Sequence, residues 1–197
     1  MALGGGNFLT QNKVLPGSYI NFVSATSSNA SISDRGYAAA ACEMSWGKEG
    51  QIFAVTADEF MTESMSIFGY AYTDGRLKGI RDIFLNASTV YFYRLNNGTK
   101  ASCDIASARY SGERGNDIVI TIESGESGYI ISTYLDGTCV DTQNVFNAGE
   151  LADNDYVVFN KSAEMTLSAG MNLAGGTDGS TADSAHQKFL DSLESIS

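Results

Sequence analysis

The periodicity of this sequence switches once, at Asn97-Gly98, and the switch divides what the chain can build. Upstream of it, apolar residues recur at helical spacing between strand-like runs. A strand at Ile52–Val55 leads into Thr56-Ala-Asp-Glu59, which has the form of a capping box. In that arrangement a Thr side chain and a Glu three residues on satisfy each other's backbone N–H groups and start a helix. The helix is expected to reach about Phe68, with Phe60, Met61, Ser64, Met65 and Phe68 on one stripe and both methionines packed in a core. A second helix begins near Asp74 and places Leu77, Ile80 and Phe84 on one face, with Lys78 and Arg81 outside it. Thr89–Leu95 then returns as an aromatic, β-branched strand, buried on both sides. Gly36–Met44 also reads as a strand, because Gly36 and Trp46-Gly47 bracket the short Ala38–Ala41 run despite its helical propensity. Strand, helix, helix, strand is the pattern of a small α/β layer.

Downstream of the switch the chain reads as strands joined by turns. Ile118, Ile120 and Ile122 alternate with Val119 and Thr121. Tyr129–Leu135 and Thr138–Val145 flank Asp136-Gly137, the pair that a type I′ hairpin turn requires because both central residues need positive φ. Gly175-Gly-Thr-Asp-Gly179 is expected to be a turn, followed by a helix from about Thr181 with Phe189, Leu190, Leu193 and Ile196 on one side and His186 half-buried on that stripe. A lone amphipathic helix up to Ser197, with no closing strand, points to a shortened polypeptide. At the other end, Met1–Pro16 has no helical periodicity and Tyr19–Val23 is a short strand, so this region reads as an extended arm.

The resulting fold class is α+β: a partial α/β main domain, an inserted antiparallel β domain and an extended N-terminal arm. Residues 1–22 are the arm and first strand, 23–96 the first part of the main domain, 97–165 the β insertion, and 166–197 the return to the main domain. Charge follows the same division. Of the formal −11, the block Asn97–Met165 carries −7, from 4 basic and 11 acidic residues, which suits a solvated, outward-facing unit.

That charge argues against nucleic acid as a partner, since phosphate neutralisation draws on clustered Lys and Arg. No apolar run approaches the roughly 18 residues of a membrane span, and Met1-Ala-Leu-Gly-Gly-Gly lacks the basic and apolar regions of a secretory signal. The reading is therefore synthesis in the cytoplasm, no membrane insertion, and three free thiols at Cys42, Cys103 and Cys139. Widely spaced cysteines and a single histidine give no metal-ligand pattern. Gly175–Gly179 lacks the Lys of a phosphate loop, no Gly-x-Ser-x-Gly elbow is present, and the carboxylates form no catalytic spacing. The expectation is a protein that is not an enzyme and holds no cofactor.

Gln11-Asn-Lys-Val-Leu-Pro-Gly17 followed by Tyr19-Ile-Asn-Phe22 resembles the opening of contractile tail-sheath proteins from phages and phage-tail-like particles of Gram-positive bacteria. Further segments keep that family's order: Asp34-Arg-Gly36, Trp46-Gly47 with Gly50, Val55–Phe60, Tyr110–Ile118 and Gly175–Gly179. The resemblance implies the N-terminal part of a structural subunit that polymerises around a tail tube in a phage tail or bacteriocin-like particle. Such a subunit contracts to drive the tube through a cell envelope. It also implies that the N-terminal arm adds a strand to a neighbouring subunit's sheet, with Val14, Tyr19, Ile20 and Phe22 making the contact. Neighbouring sheath subunits and the tail tube protein are the implied partners. The residues alone leave a second reading open, a binding module whose acidic β domain recognises a surface ligand such as a glycan.

Overall fold

The computed structural model describes residues 36–126 and 128–195. Its first layer is a three-stranded sheet in the order β1 (Gly36–Cys42), β3 (Ala87–Arg94), β2 (Ile52–Thr56), with β1 parallel and β2 antiparallel to the central β3. Helices α1 (Ala57–Phe68) and α2 (Lys78–Phe84) cover one face of this sheet. The Ala38–Ala41 run is extended, as its flanks require. Alternation along β3 sends Val90 and Phe92 under the helices, and both are fully buried.

An aromatic cluster fills the space between the helices and the sheet. Phe60 stacks on Phe84 with centroids 4.8 Å apart and meets Phe68 edge-on at 5.7 Å, while Phe68 meets Phe92 at 5.1 Å. The capping box at α1 is complete: Thr56 Oγ1 accepts from the Glu59 N–H at 3.2 Å, and Glu59 Oε2 accepts from the Thr56 N–H at 2.8 Å. Gly69 ends the helix in the left-handed conformation, φ 78°, and donates its N–H to Met65 O. Thr56→Ala is expected to lower stability by about 1 kcal/mol in a urea titration.

Two details of the first two helices differ from expectation. Met65 packs against the core of the second layer, but Met61 is 52% exposed, because the line that meets the sheet runs through Phe60, Ser64 and Phe68 and no described element reaches the flank one turn earlier. Around Asp74 the chain first makes a 3₁₀ turn at Gly75–Leu77, capped by the Asp74 side chain, and α2 follows.

The second layer is built on an antiparallel sheet in the order β10 (Ser168–Asn172), β6 (Ile118–Gly125), β7 (Gly128–Leu135), β8 (Thr138–Val145). Two short ladders complete it. β4 (Asn96–Thr99) pairs with β11 (Thr177–Thr181), and β5 (Ala106–Ala108) pairs with β9 (Val157–Phe159). The β7–β8 turn has Asp136 at φ 52° and Gly137 at φ 73°, the two positive values a type I′ turn needs. Ile118, Ile120 and Ile122 all point into the core with Ile131, Leu135, Leu151 and Leu173.

The glycine-rich segment expected to be a turn is mostly the strand β11, where Gly179 at φ 67° lets the backbone lie against Asn97. The last helix, α3 (Ala185–Glu194), starts later than expected. It rests Phe189 on Tyr93 at 5.9 Å and leaves Leu190 51% exposed. His186 is exposed instead of half-buried, because only the Ala185 and Phe189 side of α3 turns toward the sheet.

Candidate assembly surface

The residues expected to make the strand contact, Val14, Tyr19, Ile20 and Phe22, lie outside the described residues. Within them, the residues that carry the sheath resemblance converge on the joint between the two layers. Trp46, from the loop after β1, is 1% exposed and sits in the second core against Tyr110 and Tyr156, while its indole N–H donates to Ser66 O of α1 at 2.9 Å. Gly112 lies against the Ser45 backbone. Asn116 and Gly176 exchange two hydrogen bonds, at 2.8 and 2.9 Å.

Two arginines clasp the layers reciprocally. Arg94, at the end of β3, is 1% exposed and donates to Ser111 O at 2.8 Å and Gly47 O at 3.3 Å. Burial lowers its pKa, opposed by the charges of Glu49 and Asp178. From the other layer, Arg114 reaches the end of α1 and donates through Nε to Gly69 O at 2.6 Å. Its other nitrogens donate to Asp117 at 2.8 Å and to both oxygens of Asp136, one of them at 2.9 Å. Burial pulls the Arg114 guanidinium down, but the hydrogen bonds it donates to Asp136 and Asp117, with their charges, outweigh it and leave the pKa raised. The Tyr70 ring lies 4.6 Å from both Arg76 and Arg114. Asp178 completes the joint, accepting from Ser45 Oγ at 2.8 Å and from the Glu113 N–H at 2.7 Å.

The first layer presents surface that the described residues cover incompletely. Among the described residues, only α1 and α2 pack on its helical face, and β1 has a strand partner on one side, β3. Beside β1 a groove of about 450 Å³ opens toward α2, lined by Ala40, Cys42, Met44, Leu77, Ile80 and Ile83 among others. Burial pushes the Cys42 thiol up to about 11. On the opposite face α3 covers Tyr93, whereas Ala39, Ala54 and the 76% exposed Tyr37 are open and Tyr91, stacked on Tyr37, is half-covered. Thus the burial expected for the aromatic strand holds for Phe92 and Tyr93 and only partly for Tyr91.

Sequence reasoning named for this joint neither Arg94 nor Asn96, whose side-chain amide N–H groups donate to Met44 O at 2.9 Å and Asp178 O at 2.8 Å. A charged residue at the end of an aromatic strand, two residues before an Asn, was the available signal. Among the described residues no group of three His, Cys, Asp or Glu side chains could hold a metal ion, and no helix is long and apolar enough to cross a membrane.

An α/β half-layer clasped to an antiparallel β-sandwich is the architecture of a known class of phage tail proteins. Residues 35–95 match the tail sheath protein Gp18 domain III N-terminal region, and residues 96–178 match the phage tail sheath protein beta-sandwich domain. The chain is 32% identical over 222 aligned positions to the phage-like element PBSX protein XkdK of Bacillus subtilis, covering 99% of this chain and 47% of XkdK. It is 31% identical to the B. subtilis protein YqbK, covering 46% of that protein. Among solved structures, the sheath tail protein of Desulfitobacterium hafniense superposes with a TM-score of 0.74 at 32% identity over 90% of this chain and 43% of that one. A sheath tail protein of Listeria innocua does so with a TM-score of 0.74 at 30% identity, over 82% and 38%. The chain belongs to the phage tail sheath protein family. It spans about half the length of the curated relatives it matches.

Proposed function

We propose that this chain is the N-terminal part of a structural, non-catalytic subunit of a contractile tail sheath. The subunit assembles with copies of itself around a tail tube and shortens to drive the tube through a cell envelope, in a phage or a bacteriocin-like particle. The observation that carries this reading is the pair of sheath domain matches, in order and adjacent, over residues 35–95 and 96–178. The division of the chain into an arm (1–22), a first part of the main domain (23–96) and an inserted β domain belongs to the same proposal, with the β domain carried past the expected 97–165 to take in β10 and β11, which pair with β6 and β4, so that the return expected over 166–197 is confined to α3. So does the role of Val14, Tyr19, Ile20 and Phe22 as the strand that pairs with a neighbouring subunit.

Negative-stain electron microscopy tests it. The 197-residue chain is imaged alone and after co-expression with the second half of XkdK. Hollow tubes or ring stacks in the mixture are the expected result. Featureless particles in both samples would remove the sheath-subunit reading.

A further inference from the structure

Trp46-Gly47 and Gly50 bound a short loop between β1 and β2. Gly47 at φ 105° and Gly50 at φ 69° hold a backbone conformation that residues with a β-carbon rarely adopt, so the loop turns on a glycine at each end. Trp46 is fixed in the second core, and any movement of the loop begins after it. Between the glycines, Glu49 reaches across to the second layer. Its Oε2 accepts from Ser111 Oγ at 2.6 Å, which is its one hydrogen bond among the described residues.

Arg94 ends on the same serine, donating through Nη1 to Ser111 O at 2.8 Å. Its bond to Gly47 O is long, at 3.3 Å, and its Nη2 is buried with no hydrogen-bond partner among the described residues. A buried guanidinium N–H without an acceptor is costly, and a carboxylate is the acceptor that relieves it best. Two carboxylates stand close enough for their charges to bear on Arg94, those of Glu49 and Asp178. Asp178 is held on both oxygens, by Ser45 Oγ and by the Glu113 N–H. Glu49 is held by a single neutral hydroxyl.

We infer that the Gly47–Gly50 loop is a two-position latch whose Glu49 carboxylate passes between Ser111 Oγ and Arg94 Nη2. In the first position, the one in the structure, Glu49 ties the first layer to the second. In the other, Glu49 and Arg94, both of the first layer, pair with each other and the Ser111 hydroxyl is released. Each position leaves one polar group unmet, Nη2 in the first and the hydroxyl in the second, which keeps the two close in free energy. The latch thereby sets how firmly the sandwich is held while Arg94 and Arg114 keep their bonds to backbone carbonyls across the joint. It concerns a single chain and goes beyond the sheath reading without resting on it.

Urea titrations of the full chain in four forms test the latch: the parent, Glu49→Gln, Ser111→Ala and the double variant. Removing the serine hydroxyl is expected to send the carboxylate to Arg94. Glu49→Gln should then cost more in the Ser111→Ala protein than in the parent, by about fivefold in the unfolding equilibrium constant. A carboxylate that can bond only Ser111 gives the opposite order, because the serine variant has already lost that interaction. An equal or smaller cost in the Ser111→Ala background therefore overturns the latch. If Ser111→Ala does not fold, NMR relaxation dispersion of the parent decides instead. Exchange at the Gly47 and Gly50 amides that Glu49→Gln removes is the expected result. Flat profiles, or exchange that persists in Glu49→Gln, overturn it. Neither measurement depends on tube formation, so the latch and the sheath reading can fail separately.

Discussion

Replacing Gly112 with alanine is expected to destabilise the protein by about 4 kcal/mol, the sum of a strained backbone and a forced overlap. Gly112 has φ 130°, a conformation that residues with a β-carbon rarely adopt. An added Cβ would lie 1.9 Å from Ser45 O, on the strand-to-loop segment that also accepts the Arg114 N–H at 3.3 Å. Neither backbone can retreat without parting the two layers. Gly137→Ala is the control: its φ is also positive, at 73°, but nothing stands within 4 Å of the new methyl, so a loss of about 1 kcal/mol is expected. Urea titrations of the two variants should differ accordingly. Equal losses would mean that the contact at Ser45 adds nothing beyond backbone strain.

Arg114→Ala is expected to lower stability by about 3 kcal/mol, mostly by stranding Gly69 O at the end of α1 and removing the side chain that fills the joint. The ion pairs themselves contribute less, because Asp117 and Asp136 are both more than half exposed and return to water at little penalty. Their contribution should show in the pH dependence. The Arg114 hydrogen bond, opposed by slight burial, holds the Asp136 carboxyl below its ordinary value. A depressed carboxylate stabilises the fold above its unfolded pKa of about 3.9, and that stabilisation fades as pH falls through the lower folded value. Asp136→Asn should therefore be less stable than the parent by under about 1 kcal/mol at pH 6, with the gap closing below about pH 4. A gap that persists unchanged to pH 2 would rule out the carboxylate charge as its cause.

Locally determined features were legible in the sequence. The capping box at Thr56 and the Asp136-Gly137 turn depend on a few adjacent residues, and the structure has both at those residues. The alanine strand was legible from its flanks alone. The failures share a physical cause, which is long-range pairing. Gly175–Gly179 reads as a turn from composition, yet it is recruited into a strand by Asn96–Thr99, far back in the sequence. Met61 and His186 fall on apolar stripes whose outer rows meet no neighbour among the described residues, and periodicity cannot tell a row that meets a neighbour from one that does not. The joint was the least legible part. Arg94, Arg114 and Asp178 look like ordinary surface charges until the fold places them together, though Arg114 and Asp178 lie within the segments that carry the sheath resemblance.

The β4–β11 ladder pairs Asn96 with Thr181, so the chain leaves the three-stranded sheet and comes back to it at one spot. Tension applied between β3 and α3 would cross that short ladder directly, and the sandwich would stand beside the load path instead of within it. In a moving assembly such a module bears no traction along its own strands. Whether it swings as a pendant or travels locked to the sheet is then decided by the two arginines at its root.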